Sequence, residues 1–445
     1  MRNILLNTIV PIVTIVTIIN ISQPVSAQQQ WTLRQCADYA ISHNIGIQQK
    51  NLVRQQMQLH LSTAKNSRLP DLTGTVGETF SFGRGLTMDN TYTNRSTSST
   101  SFSINTSVPL FTGFRIPNNI QLNQLNLEAA TEDLEKAKND IRMQVAKAYV
   151  QILYDMEMAD VAWRQVTIDS MQVARLEAFF HNGKASGAEV SQQKATHAQS
   201  VLTATQADNN LQLALLTLTQ LLELPTPEGF EIVRPSAPFN AVVLPSPEVV
   251  FEEALLFKPE IKAEQIRLDA TARSIKIEQA ARYPQLALNG GLQTNYYKTS
   301  GMQSDNFGTQ IKNNFSQYIG LNLSVPLFNR FSTRNKISLA RLDRENQQLK
   351  LDNVKKTLYK EIQQVYYNAV AAKAKYESSM AARQSSQDAF VLAQAKYENG
   401  KATITEFNEA KNRYLKAESD LVQARYEHLY QTTLLDFYRG KELSF

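Results

Sequence analysis

The chain has 445 residues, a formal charge of +5, 42% hydrophobic residues and 20% charged residues. A net charge this small, spread along the whole chain, argues against binding to nucleic acid. A single cysteine excludes an intrachain disulfide and a multi-cysteine metal site, and the five histidines lie far apart in the sequence. The sequence contains no nucleotide motif and no nucleophile–base set, so we expect no enzymatic activity, no cofactor and no metal site.

Residues 1–27 have the features of a secretory signal peptide, with a basic Arg2, an apolar run and small residues at the end. We predict cleavage before Gln28. The alternative is an uncleaved membrane anchor, because the apolar run Ile4–Ile21 is long for a signal peptide. The residues before Cys36 do not form a lipidation signal, so we interpret this cysteine as a buried or half-exposed structural thiol.

The rest of the chain contains an internal repeat. The five residues Ser107–Phe111 recur as Ser324–Phe328, and Asn182–Ala185 recurs as Asn399–Ala402, both at an offset of 217. We therefore interpret the chain as one unit duplicated. The predicted segments are a first repeat at 28–224 with a β-hairpin at 70–111 and a helical tip near 181–187, a proline-rich linker at 225–247, a second repeat at 248–438 with a β-hairpin at 284–328 and a tip near 398–403, and a tail at 439–445.

The predicted β-hairpins alternate apolar residues with small polar ones. Over residues 72–82, Leu, Val and Phe fall on one face of the strand and Ser and Thr on the other. In a soluble β-sandwich the apolar face would form the core, whereas in a transmembrane barrel it would face lipid. After residue 27 no run approaches the roughly 20 apolar residues of a spanning helix, so the mature chain is soluble or crosses a membrane as strands.

The predicted helices are unusually long. Trp31–Asn66 has helical periodicity, and the segments Asn118–Phe180 and Thr333–Asn399 contain neither proline nor glycine. The first of these two segments would span about 95 Å as a helix. Returning helices are predicted at Ala188–Leu222 and Thr403–Tyr438, after turns that contain glycine. Four strands attached to rods of this length are difficult to build as a globular domain, which favours the membrane interpretation of the strands.

The order and spacing of these features in both halves resemble the TolC-like outer membrane efflux protein family, over nearly all of the mature chain. The resemblance implies a mostly α fold with a small β part, in which a trimeric 12-stranded outer-membrane β-barrel continues into a periplasmic α-helical tunnel. The implied location is the outer membrane of a Gram-negative bacterium, with a large periplasmic portion. The loops at 83–99 and 298–314 would then face the cell exterior.

The resemblance also implies a function and partners. The chain would be the outer-membrane channel of a tripartite efflux or type I secretion system, a passive duct for small molecules or proteins. Its partners would be two further copies of the chain, outer-membrane lipid, a periplasmic adaptor protein and an inner-membrane transporter of the RND, ABC or MFS type. The competing function, from another class, is a secreted or periplasmic coiled-coil scaffold or adhesin without channel activity. Such a scaffold would have no use for four strands with a lipid-compatible face.

The family's functional residues fall on the two predicted tips. Its aperture acids match Glu406 and Glu409, with Glu189 in the first copy, and its tip aromatic matches Tyr397. The residues implied in adaptor docking are Gly183, Lys184, Gly400 and Lys401. Three copies would crowd these carboxylates around one opening, so we expect raised pKa values and a preference for cations. Some family members carry a basic residue where this chain has Ala402, which puts a tip-locking salt bridge from that position in doubt.

Simpler interpretations of the same residues remain open. Glu409 precedes Arg413 by four residues, which is the spacing of an ordinary surface ion pair on a helix. Gly183 and Gly400 are also suited to end a helix in the left-handed conformation. A glycine can have both roles.

Overall fold

A computed structural model describes residues 30–86, 90–235 and 244–443, so the predicted signal peptide lies outside the described residues. The described chain forms two successive units, each with two short helices, a pair of strands and a long helical hairpin. The elements are α1 Leu33–His43, α2 Ile45–Asn66, β1 Asp71–Leu86, β2 Tyr92–Phe111, α3 Arg115–His181, α4 Gly187–Leu221, α5 Pro247–Phe257, α6 Pro259–Ala280, β3 Gln285–Thr299, α7 Phe307–Asn313, β4 Ser316–Ser324, α8 Ser332–Glu398 and α9 Ile404–Tyr438. The predicted mostly α fold with a small β part is confirmed.

The helical hairpins determine the length of the molecule. Helices α3 and α8 contain 67 residues each, which corresponds to about 100 Å. Helices α4 and α9 return along them for 35 residues each. No helix in the described ranges is both long and apolar enough to cross a bilayer.

The first helical segment is divided, so the prediction of one helix over Trp31–Asn66 is wrong. Asn44 ends α1, and its side-chain oxygen accepts the backbone N–H groups of Gly46 and Ile47 at 2.9 and 3.3 Å. This side chain therefore caps α2 and allows a second helix to start at once. Cys36 in α1 is fully buried, and burial raises the pKa of its thiol to about 12. The interpretation of Cys36 as a structural thiol is confirmed.

The four strands form one antiparallel sheet in the order β1-β2-β3-β4. Pairing of β2 with β3 joins the two repeats, with Ile104 opposite Leu292. Because paired residues project from the same side of a sheet, the register defines two faces that continue across all four strands. One face carries the apolar residues Leu72, Val76, Phe80, Phe102, Ile104, Val108, Leu288, Leu292, Ile319, Leu321 and Leu323. The opposite face is mainly Ser, Thr, Asn and Gly.

The strand ends differ from the prediction in two places. Strands β1 and β2 extend into the predicted loop at 83–99, since Asn94 pairs with Arg84. The predicted hairpin at 284–328 is too long, because β4 ends at Ser324. Its counterpart β2 continues to Phe111, which pairs with β3 on its second side. No described strand supports β4 in the same way.

Just before β4 begins at Ser316, the short helix α7 lies beside the last residues of β3. The side chain of Gln310 in α7 bonds both backbone groups of Tyr297 at 3.0 Å. Helix α7 falls inside the predicted loop at 298–314, so part of that loop is helical.

The core lies where the short helices pack against the long ones. One buried cluster joins α1, α3, α4 and α9, and a second joins α5, α6, α8 and α9. Helix α9 contributes to both clusters, with Val422 to the first and Leu435 to the second. The two repeats therefore share their core and are not separate domains.

Candidate functional site

The two long hairpins end in the same backbone turn. In each turn the glycine N–H donates to the carbonyl three residues back at 3.0 Å, and the following lysine N–H donates to the carbonyl five residues back at 2.8 Å. These two bonds define a Schellman motif. Gly183 and Gly400 have φ of +71° and +68°, and a Cβ at either position would meet nothing within 4 Å. The backbone conformation therefore favours glycine at both tips, and the space beside each glycine is open within the chain.

The helices that follow the tips both begin with a capping box. The Ser186 hydroxyl accepts the Glu189 N–H at 3.2 Å, and the Glu189 carboxylate accepts the Ser186 N–H at 2.7 Å. Thr403 and Glu406 make the same two bonds at 3.2 and 2.7 Å. These bonds satisfy N–H groups that have no partner inside the helix. Two of the three predicted aperture acids thus have a structural role, and the Ser/Thr-x-x-Glu pattern in the sequence indicates it.

The third predicted acid, Glu409, lies on the next part of α9. It is exposed and pairs with Arg413 at 3.7 Å, which is the surface ion pair that the spacing predicts. The pKa of Glu189 lies below its ordinary value, because the Ser186 backbone and hydroxyl both donate to the carboxylate. Within one chain the pKa of Glu189 is therefore lowered, and the rise expected from the crowding of three copies stays a prediction.

Tyr397, the predicted tip aromatic, lies between the two hairpins. Its ring stacks on Phe407 of α9 with centroids 5.2 Å apart, and the Arg175 guanidinium of α3 lies 5.4 Å from the ring centroid. Arg175 also pairs with Glu398 at 3.7 Å, between Nη1 and Oε1. Burial raises the pKa of the Tyr397 phenol, although Arg175 opposes the rise. The ring is therefore neutral at physiological pH, and it holds an arginine of the first hairpin against the second.

Sequence reasoning missed Arg175, because it lies in the first copy and belongs to no motif. Its contacts give the tips a cation that joins the two hairpins, at a different place from Ala402. The other predicted tip residues, Lys184 and Lys401, are both exposed. Among the described residues no group of His, Cys, Asp and Glu could hold a metal ion. The tips therefore offer an open surface with mixed charge and one aromatic contact between hairpins.

Solved structures of similar shape include outer membrane proteins. The chain superposes on the CmeC outer membrane channel of Campylobacter jejuni with a TM-score of 0.78 at 17% identity, covering 93% of this chain and 87% of that one. It superposes on the outer membrane protein VceC of Vibrio cholerae with a TM-score of 0.76 at 18% identity, covering 92% and 96%. At this level of identity the likeness shows a shared fold.

Sequence comparison gives the family. Outer membrane efflux protein BepC of Brucella suis is 22% identical over 376 residues, which is 83% of this chain and 76% of that protein. Toxin and drug export protein A of Aggregatibacter actinomycetemcomitans is 23% identical over 345 residues, covering 74% and 70%. The outer membrane efflux protein profile matches twice, at residues 37–223 and 250–440, which together make up most of the chain. The chain therefore belongs to the outer membrane efflux protein family and is an outer-membrane channel protein for efflux or secretion.

Proposed function

We propose that three copies of the chain assemble into one passive export duct, with a 12-stranded barrel in the outer membrane and a helical tunnel in the periplasm. The described sheet has two edge strands, β1 and β4, and four strands are too few to close a barrel, since the smallest bacterial ones have about eight. Edges left open in this way favour pairing with further copies. The number three comes from the resemblance to the family.

The observation that carries this proposal is the apolar face of the sheet. Leu72, Val76 and Ile319 on that face are 76%, 70% and 79% exposed in the single chain. An exposed apolar surface of this kind is unfavourable in water and suits the hydrocarbon of a bilayer. Glu78 interrupts this face, and the hydroxyls of Ser98 and Thr100 donate to its carboxylate. The polar face would line the lumen, as in transmembrane barrels whose interior is wet.

The energy for export would come from partners. We assign the chain no catalytic step, and its tips would dock on a periplasmic adaptor that connects it to an inner-membrane transporter. The open space beside Gly183 and Gly400 and the neighbouring lysines Lys184 and Lys401 support a docking role. Docking is compatible with the structural role of the two glycines in ending their helices. A turn that needs glycine can also expose its backbone to a partner.

The assembly is tested on the full-length protein extracted from outer membranes in mild detergent. We expect chemical cross-linking and native mass measurement to show a trimer, and planar bilayers to show discrete conductance steps. A stable monomer extracted from the membrane would exclude the shared barrel. Recovery of the protein in the soluble periplasmic fraction would favour the coiled-coil scaffold.

The aperture is tested by removing charge without removing the helix cap. Glutamine also completes a capping box, so Glu406→Gln with Glu409→Gln changes the charge and keeps the start of α9. We expect weaker cation selectivity and weaker block by trivalent metal ions in bilayer recordings, because crowded carboxylates concentrate cations. The matched control is Glu345→Gln on α8, an exposed glutamate far from the tip. Equal effects at the two places would mean that the acids act only through general surface charge.

The orientation is tested with epitope tags in the two strand connections. The tag positions are Asn90, between β1 and β2, and Asp305, between β3 and β4. Because the helices must lie in the periplasm, both tags should bind antibody on intact cells. Labelling only after permeabilisation would contradict the orientation.

A further inference from the structure

Three ion pairs connect α3 of the first repeat to α9 of the second. In order from the core towards the tips they are Glu157–Arg425 at 3.3 Å, Arg164–Glu418 at 3.1 Å, and Asp169–Lys411. Along α9 the three paired residues are spaced seven residues apart. Along α3 the first spacing is seven residues and the second is five. Because α3 runs towards the tips and α9 runs away from them, the three pairs form one antiparallel ladder.

The signs of the charges alternate along the ladder. Helix α3 presents an acid, a base and an acid, and α9 presents a base, an acid and a base. A slip of seven residues brings the same helix faces back together. Such a slip would place Glu157 opposite Glu418 and Arg164 opposite Lys411. A slip in the other direction would place Arg164 opposite Arg425, so either displacement replaces attraction by repulsion.

The rung nearest the tips is buried. Asp169 and Lys411 are both 0% exposed. One carboxylate oxygen of Asp169 accepts Lys411 and Gln193, and the other accepts Ser200 and Gln165. Any slip would separate Asp169 from Lys411 and leave two charges buried without a partner, which is the strongest penalty available to an ion pair.

The register of the ladder places the two tips at the same height. Nineteen residues lead from Arg164 to Gly183, and eighteen lead from Gly400 to Glu418. Counted from the buried rung, fourteen residues lead from Asp169 to Gly183, and eleven lead from Gly400 to Lys411. The tip glycines therefore lie within one to three residues of each other along the axis, about 2–5 Å. A slip of seven residues would displace one tip by about 10 Å relative to the other.

We infer that the α3–α9 ladder sets the axial register of the two helical hairpins and so holds both tips level for one partner surface. The need for level tips rests on the proposed docking function. The register is a property of the chain itself and can be measured without transport or a partner. If all the charges on α3 had one sign and all those on α9 the other, the helices would attract each other in every register. The alternation of sign therefore makes the slipped arrangements unfavourable.

The register is read by cross-linking of the full-length protein in detergent, in a Cys36→Ala background. Ala162, Ser419 and Asn412 line one groove between α3, α4 and α9. Ala162→Cys with Ser419→Cys reports the observed register, because these residues lie beside Arg164 and Glu418. Ala162→Cys with Asn412→Cys reports a slip of seven residues. With a short bifunctional thiol reagent, the unaltered ladder should give the first product and very little of the second.

The decisive variant makes the ladder uniform in sign. Arg164→Glu with Glu418→Arg keeps attraction in the observed register and adds attraction in the slipped one. Asp169→Asn with Lys411→Gln then removes the buried charges while keeping polar groups of similar size. We expect the four substitutions together to raise the slipped product about fivefold or more relative to the unaltered ladder.

A matched control reverses an exposed pair outside the ladder. Arg413→Glu with Glu409→Arg changes the same residue types on α9, within one helix, and should leave both products unchanged. If the four-substitution variant gives the same yield of the slipped product as the original ladder, apolar packing alone sets the register. That result would overturn the inference. If that variant does not fold, Arg164→Glu with Glu418→Arg alone keeps the buried pair and must still raise the slipped product. Conductance of the variants in bilayers reports on the duct separately.

Discussion

The tips of the two hairpins have the same backbone and different side-chain packing. Both turns have the same hydrogen bonds, and both are followed by a capping box. In the second tip Tyr397 stacks on Phe407, which is 1% exposed. In the first tip the equivalent positions hold Phe180, which is 49% exposed, and Val190. The turn is encoded by a few local residues and was kept in both copies, whereas the packing depends on neighbours that differ between the copies.

Two equivalent lysines show the same divergence. Lys194 and Lys411 are separated by the repeat offset of 217. Lys194 pairs with Glu177 within its own hairpin at 2.7 Å, and the two side chains are 57% and 44% exposed. Lys411 is fully buried and pairs with Asp169 of the other hairpin. One lysine is thus part of a solvated surface, and its counterpart joins the two repeats.

The largest effect is expected from the buried lysine. Lys411→Met should lower the free energy of unfolding by about 3–5 kcal/mol, because Asp169 remains buried without a counter-charge. Lys194→Met should have a much smaller effect, because water already solvates both members of its pair. Denaturant titration of the detergent-solubilised protein, followed by far-ultraviolet circular dichroism, measures both. Equal losses at the two positions would mean that Lys411 is solvated in the assembled protein.

A second change tests the aromatic packing of the second tip. Phe407→Ala should cost about 3–5 kcal/mol, since Phe407 is buried against Phe390 and Tyr397. Val190→Ala at the equivalent position of the first copy removes only two methyl groups and should cost about 2 kcal/mol or less. Phe407→Leu, which retains most of the apolar volume, should recover most of the loss. The same denaturant titration measures all three, and a larger loss at Val190 would reverse the comparison.

Local sequence signals predicted the parts of the fold that depend on local residues. The repeat, the absence of proline and glycine from the long rods and the glycines of the tips together located the hairpins and their turns. The division at Asn44 was missed because an asparagine cap leaves the helical periodicity on both sides unchanged. The early end of β4 was missed because it depends on the neighbouring strands. Strand β2 is paired on both sides, by β1 and β3, whereas β4 is an edge strand paired only by β3.

The candidate site divides in the same way. The tip glycines, Glu189 and Glu406 were located from motifs within a few residues. The capping role of the two glutamates was not predicted, although the local Ser/Thr-x-x-Glu pattern encodes it. Arg175 and the pair Asp169–Lys411 do not, because each joins elements separated by more than 200 residues. Contacts between the copies cannot be inferred from the similarity of the copies, since at least one partner of each contact differs. Asp169 corresponds to Ser386, and Arg175 corresponds to Leu392.

The smallest effect is expected at Arg175, the one described cation that contacts the ring of Tyr397 from the other hairpin. Arg175→Ala removes this contact and the ion pair with Glu398, and the partly exposed cation–π contact contributes about 1 kcal/mol. We expect the two tips to separate more readily, which in bilayer recordings would appear as more frequent or larger openings. Arg175→Lys keeps the charge but not the flat guanidinium, so its effect should be intermediate.

The control for Arg175 is the equivalent position of the second copy. Leu392 lies 217 residues after Arg175 and is 58% exposed. Leu392→Ala should leave the openings unchanged. An Arg175→Ala channel with unaltered openings would mean that the Tyr397 contact only packs the second tip, and that the hairpins are held together by the buried pair further along α3 and α9.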